Sequence, residues 1–181
     1  MALAAVSGVD RELIEACRIA QRRDHWLRLP WYRASRGGGA IALGLTIRFT
    51  GNWFRTDGVH AYGDGSLRST WHWLRHLAHE VGHLPQARSY GLHAKGRLRY
   101  VAAFAAQYGL RAITLQGHVH DGAPLERQAD RGRWVLVRLA GASPLSHPLV
   151  LAVHHDDAEA VRSWCAAHAN AVREAHNAYP W

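Results

Sequence analysis

The chain has 181 residues, and 48% of them are hydrophobic, which excludes wholesale disorder and suits one domain with its own core. The formal net charge is +8 and is carried almost wholly by arginine, since Lys95 is the only lysine. No apolar run approaches the roughly eighteen residues that cross a bilayer, and the start lacks a basic secretory n-region. We therefore expect a cytoplasmic location without membrane contact, unless a specialised system exports the chain.

The cysteines and arginines narrow the kinds of site that the chain can carry. Cys17 and Cys165 lie far apart in sequence and form no CxxC pair, so we expect two buried free thiols and no cysteine-bound metal. A basic surface attracts nucleic acid through counterion release. Because the arginines are scattered rather than gathered in a run, we do not expect nucleic acid as the main partner, and it stays an alternative.

The first part of the chain predicts one helix and one strand. Asp10 is a suitable N-cap for a helix over residues 10–27, and Pro30 closes that segment. After the turn at Arg36–Gly39, apolar residues alternate strictly with small or polar ones over residues 41–49, which is the period of a half-buried strand. The apolar members of that alternation are Ile41, Leu43, Leu45, Ile47 and Phe49.

The most informative motif is His79-Glu80-Val81-Gly82-His83, which we place on a helix. Residues four apart on a helix stand one turn above each other, so His79 and His83 can direct imidazole nitrogens at one zinc ion. Glu80 follows the first of these ligands and can act as general base on a metal-bound water. The spacing therefore predicts two metal ligands and a base within one turn and a half.

The ends of this helix are predicted from its capping and breaking residues. We expect it to begin at Ser69 or Thr70, and to end or bend at Pro85, which cannot donate to the carbonyl of Val81. One side of the helix is apolar and should pack on the strand. The residues of that side are Leu74, Ala78 and Val81.

A third zinc ligand is expected on a separate helix, which Pro124 opens and which runs towards Leu139. Glu126 and Asp130 stand four apart there, so their carboxylates share one face. Glu126 can bind zinc, while Asp130 can accept the remaining N–H of a ligand histidine and fix its tautomer. The alternative for both carboxylates is a solvent-exposed helix face beside Arg127.

Two more helices and a short apolar segment complete the predicted elements. One helix covers residues 96–109, the apolar segment covers residues 149–153, and the last helix runs from Asp156 or Asp157 to His176. The helix over 96–109 is expected to bury an inward face and to stop at its final glycine. That inward face consists of Val101, Phe104 and Ala105.

Other histidines and tyrosines are open to two interpretations. His76 lies on the stripe of the two ligands and either supports the metal site or is a partly exposed polar neighbour, as is His72. His118 and His120 precede the helix of Glu126, so either can be an alternative ligand, a donor to a developing oxyanion, or part of a surface loop. Three tyrosines are explained equally well as electrophilic hydroxyls or as core aromatics: Tyr90, Tyr100 and Tyr108.

Three segments together resemble the gluzincin metallopeptidases, and most closely small bacterial metallopeptidase-like domains. They are GGGAIALGLTIRF, LAHEVGHLPQ and APLERQADRG, and the resemblance covers about residues 38–132. In those domains an HExxHxxQ helix is followed by an ExxAD segment. The resemblance implies a zincin-like fold, with Zn²⁺ held by His79, His83 and Glu126, with Glu80 as base and Asp130 behind a ligand histidine. Pro85 cuts the helix short and so departs from the longer helices of the large peptidases.

These observations lead to one prediction of fold and to three alternative functions. We expect an α+β fold: one mainly helical, zincin-like domain over residues 1–181, with a small β-sheet packed on the HExxH helix. Its metallopeptidase-like core covers residues 38–140, and helices 10–27 and 156–176 pack on it. The leading hypothesis is a zinc-dependent hydrolase that cleaves peptide or protein substrates. The alternatives are a catalytically idle, metal-stabilised binding or toxin-associated module, and an arginine-rich nucleic-acid-binding protein.

Overall fold

The computed structural model describes residues 1–22, 40–50, 65–114 and 122–180. These residues are mainly helical and contain one small mixed sheet, so the α+β class is confirmed. The strands are β1 (Arg18–Arg22), β2 (Ala40–Leu43) and β3 (Thr46–Thr50). The helices are α1 (Ala2–Ser7), α2 (Arg11–Glu15), α3 (Leu67–Glu80), α4 (His83–Tyr90), α5 (Ala94–Thr114), α6 (Pro124–Ala129), α7 (Arg131–Ala140), α8 (Pro148–His154), α9 (Ala158–Ala167) and α10 (Ala169–Asn177), with a 3₁₀ turn at Pro144–Ser146.

The sheet has the order β1-β3-β2, with β1 parallel and β2 antiparallel to the central strand. The prediction of one continuous strand over residues 41–49 was wrong, because the chain reverses at Gly44. That glycine has φ +63°, a left-handed conformation that a side chain disfavours. Ala42 consequently lies opposite Ile47. An alternating pattern continues through a tight turn, so periodicity alone does not separate one strand from a hairpin.

The helix predicted over residues 10–27 was also wrong. Helix α2 ends at Glu15, and residues 18–22 form β1, which pairs with β3. The pairing begins where the Arg18 N–H donates to the carbonyl of Leu45 at 2.8 Å. Hydrogen bonds to a distant strand thus override the local helical pattern in this segment.

Helix α3 begins at Leu67, earlier than predicted, because the Ser66 side chain caps it. The Ser66 hydroxyl accepts from the Ser69 N–H at 3.1 Å. At the other end, Pro85 has no N–H for the carbonyl of Val81, and that carbonyl accepts from Leu84 at 3.1 Å instead. The helix is therefore interrupted between Glu80 and His83, and Pro85 lies inside the first turn of α4.

The sheet packs on α3, as expected, and also on α4. Of the three residues predicted for this side of the helix, Val81 takes part and Leu74 and Ala78 do not. Leu77 and Val81 share one apolar cluster with the β3 residues Ile47 and Phe49, which are both fully buried. Leu74 and Ala78 face away from the sheet, into a larger core built by helices. That core gathers residues from α1, α7, α8, α9 and α10, so α3 is buried on two sides.

The later helices differ in length from the predicted ones. Helix α5 continues through Gly109 to Thr114, and its buried residues are Gly96 and Tyr100, while Val101 is exposed. The helix predicted from Pro124 is divided at Asp130 into α6 and α7. The segment 149–153 is helical and belongs to α8. The last helix is divided at His168, and its N-terminus is capped by Asp157, which accepts from two backbone N–H groups.

Two further expectations concern the cysteines and the membrane. Cys17 and Cys165 are free thiols, each half-buried rather than buried, and burial raises the pKa of both. Among the described helices, none is long and apolar enough to cross a bilayer.

Candidate metal centre

The two motif histidines remain one turn apart although the helix is interrupted between them. His79 lies in the last turn of α3, and His83 begins α4. Between them, Val81 (φ −68°, ψ −23°) and Gly82 (φ −62°, ψ −21°) keep right-handed helical angles. The Nε2 atoms of the two imidazoles consequently lie 3.3 Å apart.

Glu126 in the first turn of α6 completes a buried group with these histidines. Its Oε2 lies 3.1 Å from His79 Nε2 and 3.5 Å from His83 Nε2. Each of the three residues is at most 6% exposed. Within the described part of the chain, this is the group of side chains that can hold a metal ion.

The motif glycine allows α6 to approach this closely. A Cβ atom at Gly82 would lie 2.3 Å from the carbonyl oxygen of Ala129 and 2.7 Å from its Cα, far inside van der Waals contact. Ala129 ends the helix that carries Glu126. Because Gly82 has no side chain, α6 can lie close enough for the Glu126 carboxylate to reach the two imidazoles.

A second layer of hydrogen bonds fixes the orientation of both imidazoles. His79 Nδ1 lies 3.1 Å from Asp130 Oδ1, and His83 Nδ1 lies 3.0 Å from Gln86 Oε1. The Gln86 amide is itself oriented, because its Nε2 donates to the Leu125 carbonyl at 2.7 Å. Both partners of the imidazoles are acceptors, so each Nδ1 carries a hydrogen, and in the neutral ring the Nε2 lone pair is left to bind a metal ion.

The geometry and the chemistry of this group fit zinc. Zinc–nitrogen and zinc–oxygen bonds of about 2.0–2.1 Å in a tetrahedron place neighbouring ligand atoms roughly 3.4 Å apart. The three separations observed here are 3.1, 3.3 and 3.5 Å. When both imidazoles are neutral, their Nε2 lone pairs and the carboxylate oxygen face one another in a buried space, and either a proton or a metal cation relieves the repulsion.

The surroundings of His79 also favour positive charge at this position. Burial acts to lower its pKa, but hydrogen bonds with Asp130 and Glu126 outweigh burial and raise the pKa to about 9. Burial also acts on Asp130, yet His79 and Arg133 hold the pKa of that carboxyl below its usual range. A proton on His79 is therefore the natural competitor of a metal ion.

Glu80 lies beside the group without belonging to it. It is 5% exposed, and its Oε1 lies 3.2 Å from His76 Nε2. Burial acts to raise the pKa of Glu80, but His76, His79 and His83 outweigh it and lower that pKa, so the carboxylate is ionised at neutral pH. Burial lowers the pKa of His76, which contacts the expected base rather than the ligand group.

Helix α5 contributes hydroxyl and amide groups from its inner face. The Tyr108 hydroxyl donates to Glu126 Oε1, and the Tyr100 hydroxyl donates to Gln86 Oε1 at 3.3 Å. Gln107 Oε1 accepts from the Leu125 N–H at 3.1 Å, which ties α6 to α5. Burial, and then the charges of Glu126 and Glu80, raise the pKa of both tyrosines above its usual range, so both hydroxyls keep their protons.

No family model, curated protein or solved structure matches the chain.

The sequence predicted some members of this centre and missed others. His79, His83 and Glu126 are brought together, with Asp130 behind His79 and Glu80 alongside. Gln86 was missed as a partner of His83, although its position three residues further along a helix places it on the same face.

The remaining candidates are placed apart or fall outside the described residues. Of the three tyrosines, Tyr108 contacts a ligand residue, whereas Tyr90 packs its ring on Tyr100 at 5.6 Å. His118 and His120 lie outside the described residues, so their predicted roles stay predictions.

Proposed function

We propose that this chain is a zinc-dependent hydrolase, a metallopeptidase of the gluzincin type. The observation that carries the proposal is the convergence of His79 Nε2, His83 Nε2 and Glu126 Oε2 at separations that suit tetrahedral zinc. The peptide substrate class is supported by the order of the motifs, HExxH followed by a separate Glu and Asp, which resembles those enzymes.

The residues around the centre have separate tasks in this proposal. His79, His83 and Glu126 hold the ion, while Asp130 and Gln86 orient the imidazoles. When bound, zinc supplies Lewis acidity, which polarises the scissile carbonyl and makes the attacking water more acidic. Glu80 accepts the proton of that water and passes it to the leaving amine.

The state of Glu80 supports its role as the base. A general base must be unprotonated at working pH, and the neighbouring imidazoles keep the pKa of this buried carboxyl low. His76 lies one turn earlier on α3, and its Nε2 contacts the Glu80 carboxylate. A cytoplasmic location belongs to the proposal, supported by two free thiols, which a reducing compartment preserves.

Elemental analysis of the purified protein tests the metal. We expect about one zinc ion per chain in the wild type, and loss of most of it in Glu126→Ala, because two imidazoles alone bind zinc weakly. Glu159→Ala is the matched control, since that glutamate is exposed on α9. Equal zinc in Glu126→Ala and the wild type would contradict the proposed ligand set.

Glu80→Gln tests the chemistry separately from the metal. We expect this variant to keep its zinc and to lose about 10²–10⁴-fold in the rate of peptide hydrolysis, the usual contribution of a general base. The assay is cleavage of a denatured protein or a peptide library, with Glu159→Gln as control. Unchanged hydrolysis by Glu80→Gln would refute the mechanism, and a zinc-loaded wild type that cleaves nothing would favour the idle binding module.

A further inference from the structure

The two oxygens of the Glu126 carboxylate have different partners. Oε2 faces the imidazoles of His79 and His83, at 3.1 and 3.5 Å. Oε1 accepts the hydroxyl hydrogen of Tyr108. The carboxylate is thus oriented from both sides, with one oxygen directed at the metal position.

We propose that Tyr108 is a positioning residue that confines Glu126 to a single metal-binding oxygen. This inference rests on the proposed function, because it concerns how the third ligand binds zinc. A carboxylate with two available oxygens can chelate a cation with both, and the second oxygen then takes a coordination position. A catalytic zinc has three protein ligands and needs its fourth position for water or substrate. By engaging Oε1, the Tyr108 hydroxyl keeps that position from Glu126.

The packing of α5 holds the Tyr108 ring in place for this task. Tyr100, Phe104 and Tyr108 stand four apart on the helix and form an edge-to-face series, with ring centroids 4.9 and 5.8 Å apart. Phe104 also packs edge-on against His83, at 5.4 Å. The phenol of Tyr108 therefore approaches Glu126 from a rigid element whose neighbouring ring touches another ligand.

Substitution of the tyrosine by phenylalanine removes one oxygen atom and leaves the aromatic series intact. Tyr108→Phe, loaded with Co²⁺ in place of zinc, should show the weaker visible absorption of a higher-coordinate ion, whereas the wild type shows the stronger absorption of a four-coordinate one. With zinc, we expect kcat to fall about 10–100-fold, the usual effect of losing a hydrogen bond to a metal ligand, with KM unchanged. Tyr90→Phe is the control, because it removes a hydroxyl from the same aromatic group without touching Glu126.

A second measurement keeps the test decisive where activity is lost. X-ray absorption of the zinc-loaded proteins counts ligand atoms directly, and we expect one more protein oxygen in Tyr108→Phe than in the wild type. The same coordination number and the same kcat in both would overturn the role of Tyr108 while leaving the zinc hydrolase intact. A wild type that binds neither zinc nor cobalt would instead refute the proposed function itself.

Discussion

Asp130 and Gln86 hydrogen-bond to the two motif imidazoles, but one partner is charged and the other is neutral. Asp130 is a charged acceptor, so it makes the His79 imidazole more basic, whereas Gln86 presents a neutral amide oxygen to His83. The two partners also come from different elements: Gln86 lies on the helix of its own histidine, and Asp130 lies at the end of α6. A proton on His79 therefore competes with any metal ion at the candidate centre.

The basicity of His79 gives the zinc-free protein a defined pH dependence. Its pKa is about 9 in the folded chain against 6.5 for an ordinary imidazole, so folding strengthens proton binding. The resulting contribution to stability is complete below the unfolded value, declines above it, and is lost as the pH rises through the folded value. In chelator-treated protein we expect a lower free energy of unfolding by urea at about pH 10 than at about pH 6.

The variant His79→Gln serves as the control for this pH dependence. It lacks the titrating group, so its free energy of unfolding should decline less over the same interval. If the wild type and His79→Gln lost stability in parallel between these pH values, the raised pKa of His79 would not be the cause.

The candidate centre forms where α3, α4 and α6 come together, since each helix supplies one of its residues. Pro85 interrupts the hydrogen bonds between α3 and α4, and Gly82 at that interruption admits the end of α6. Helix α5 then covers α6, with Gln107 bonded to its first turn. The centre thus depends on how short helices approach one another rather than on any one helix.

Two glycine substitutions separate this close approach from helix propensity. In Gly82→Ala, the new Cβ would lie 2.3 Å from the Ala129 carbonyl oxygen, so α6 must shift. We expect a loss of about 1–3 kcal/mol in the free energy of unfolding, as for other overpacked sites, together with weaker zinc binding. Urea titration and zinc titration measure the two effects.

Gly109→Ala provides the comparison, because nothing lies within 4 Å of a Cβ atom at this position inside α5. Alanine in an exposed helix interior should stabilise the protein by about 0.5–1 kcal/mol. A Gly82→Ala protein as stable as the wild type, with full zinc affinity, would show that α6 does not need this contact.

The three residues of the candidate metal centre belong to helices that contact different apolar clusters. Helix α3 lies between the helical core and the sheet cluster, while Leu125 beside Glu126 joins a third, smaller cluster with Ala87 and Tyr100. Helix α4 joins both sides, through Leu84 in the sheet cluster and Ala87 in the third cluster, whereas α3 and α6 belong to different clusters. A cation bound by all three residues would therefore link α3 to α6. Metal binding and folding should be coupled for this reason.

This coupling predicts that zinc raises the melting temperature. Free zinc at a hundred times its dissociation constant should add about 2.7 kcal/mol to the free energy of unfolding, provided that the unfolded chain does not bind it. Thermal unfolding of zinc-loaded and chelator-treated protein measures the shift. Glu126→Ala should show little of it, and a similar shift in that variant would place the stabilising ion elsewhere.

Local patterns were sufficient for the residues of the centre that lie close together along the chain. The HExxH spacing, the break caused by Pro85 and the pair of Glu126 and Asp130 all follow from helical geometry over a few residues. The same reasoning failed for residues 18–22, where a helical pattern was overridden by pairing with β3. It also failed at Gly44, where the alternation of one strand continued through a turn.

The amino-acid sequence thus predicted the residues of the candidate centre, with Glu80 and Asp130 beside them, because spacing along a helix fixes which side chains share a face. The folded chain decided which distant groups meet them. In the sequence, Tyr108 could not be distinguished from Tyr90 and Tyr100, and only its contact with Glu126 in the folded chain sets it apart. Likewise, the close approach of α6 at Gly82 is what brings Glu126 to the two histidines. Contacts of this kind depend on the distance between backbones that are remote in sequence, and no local periodicity encodes that distance.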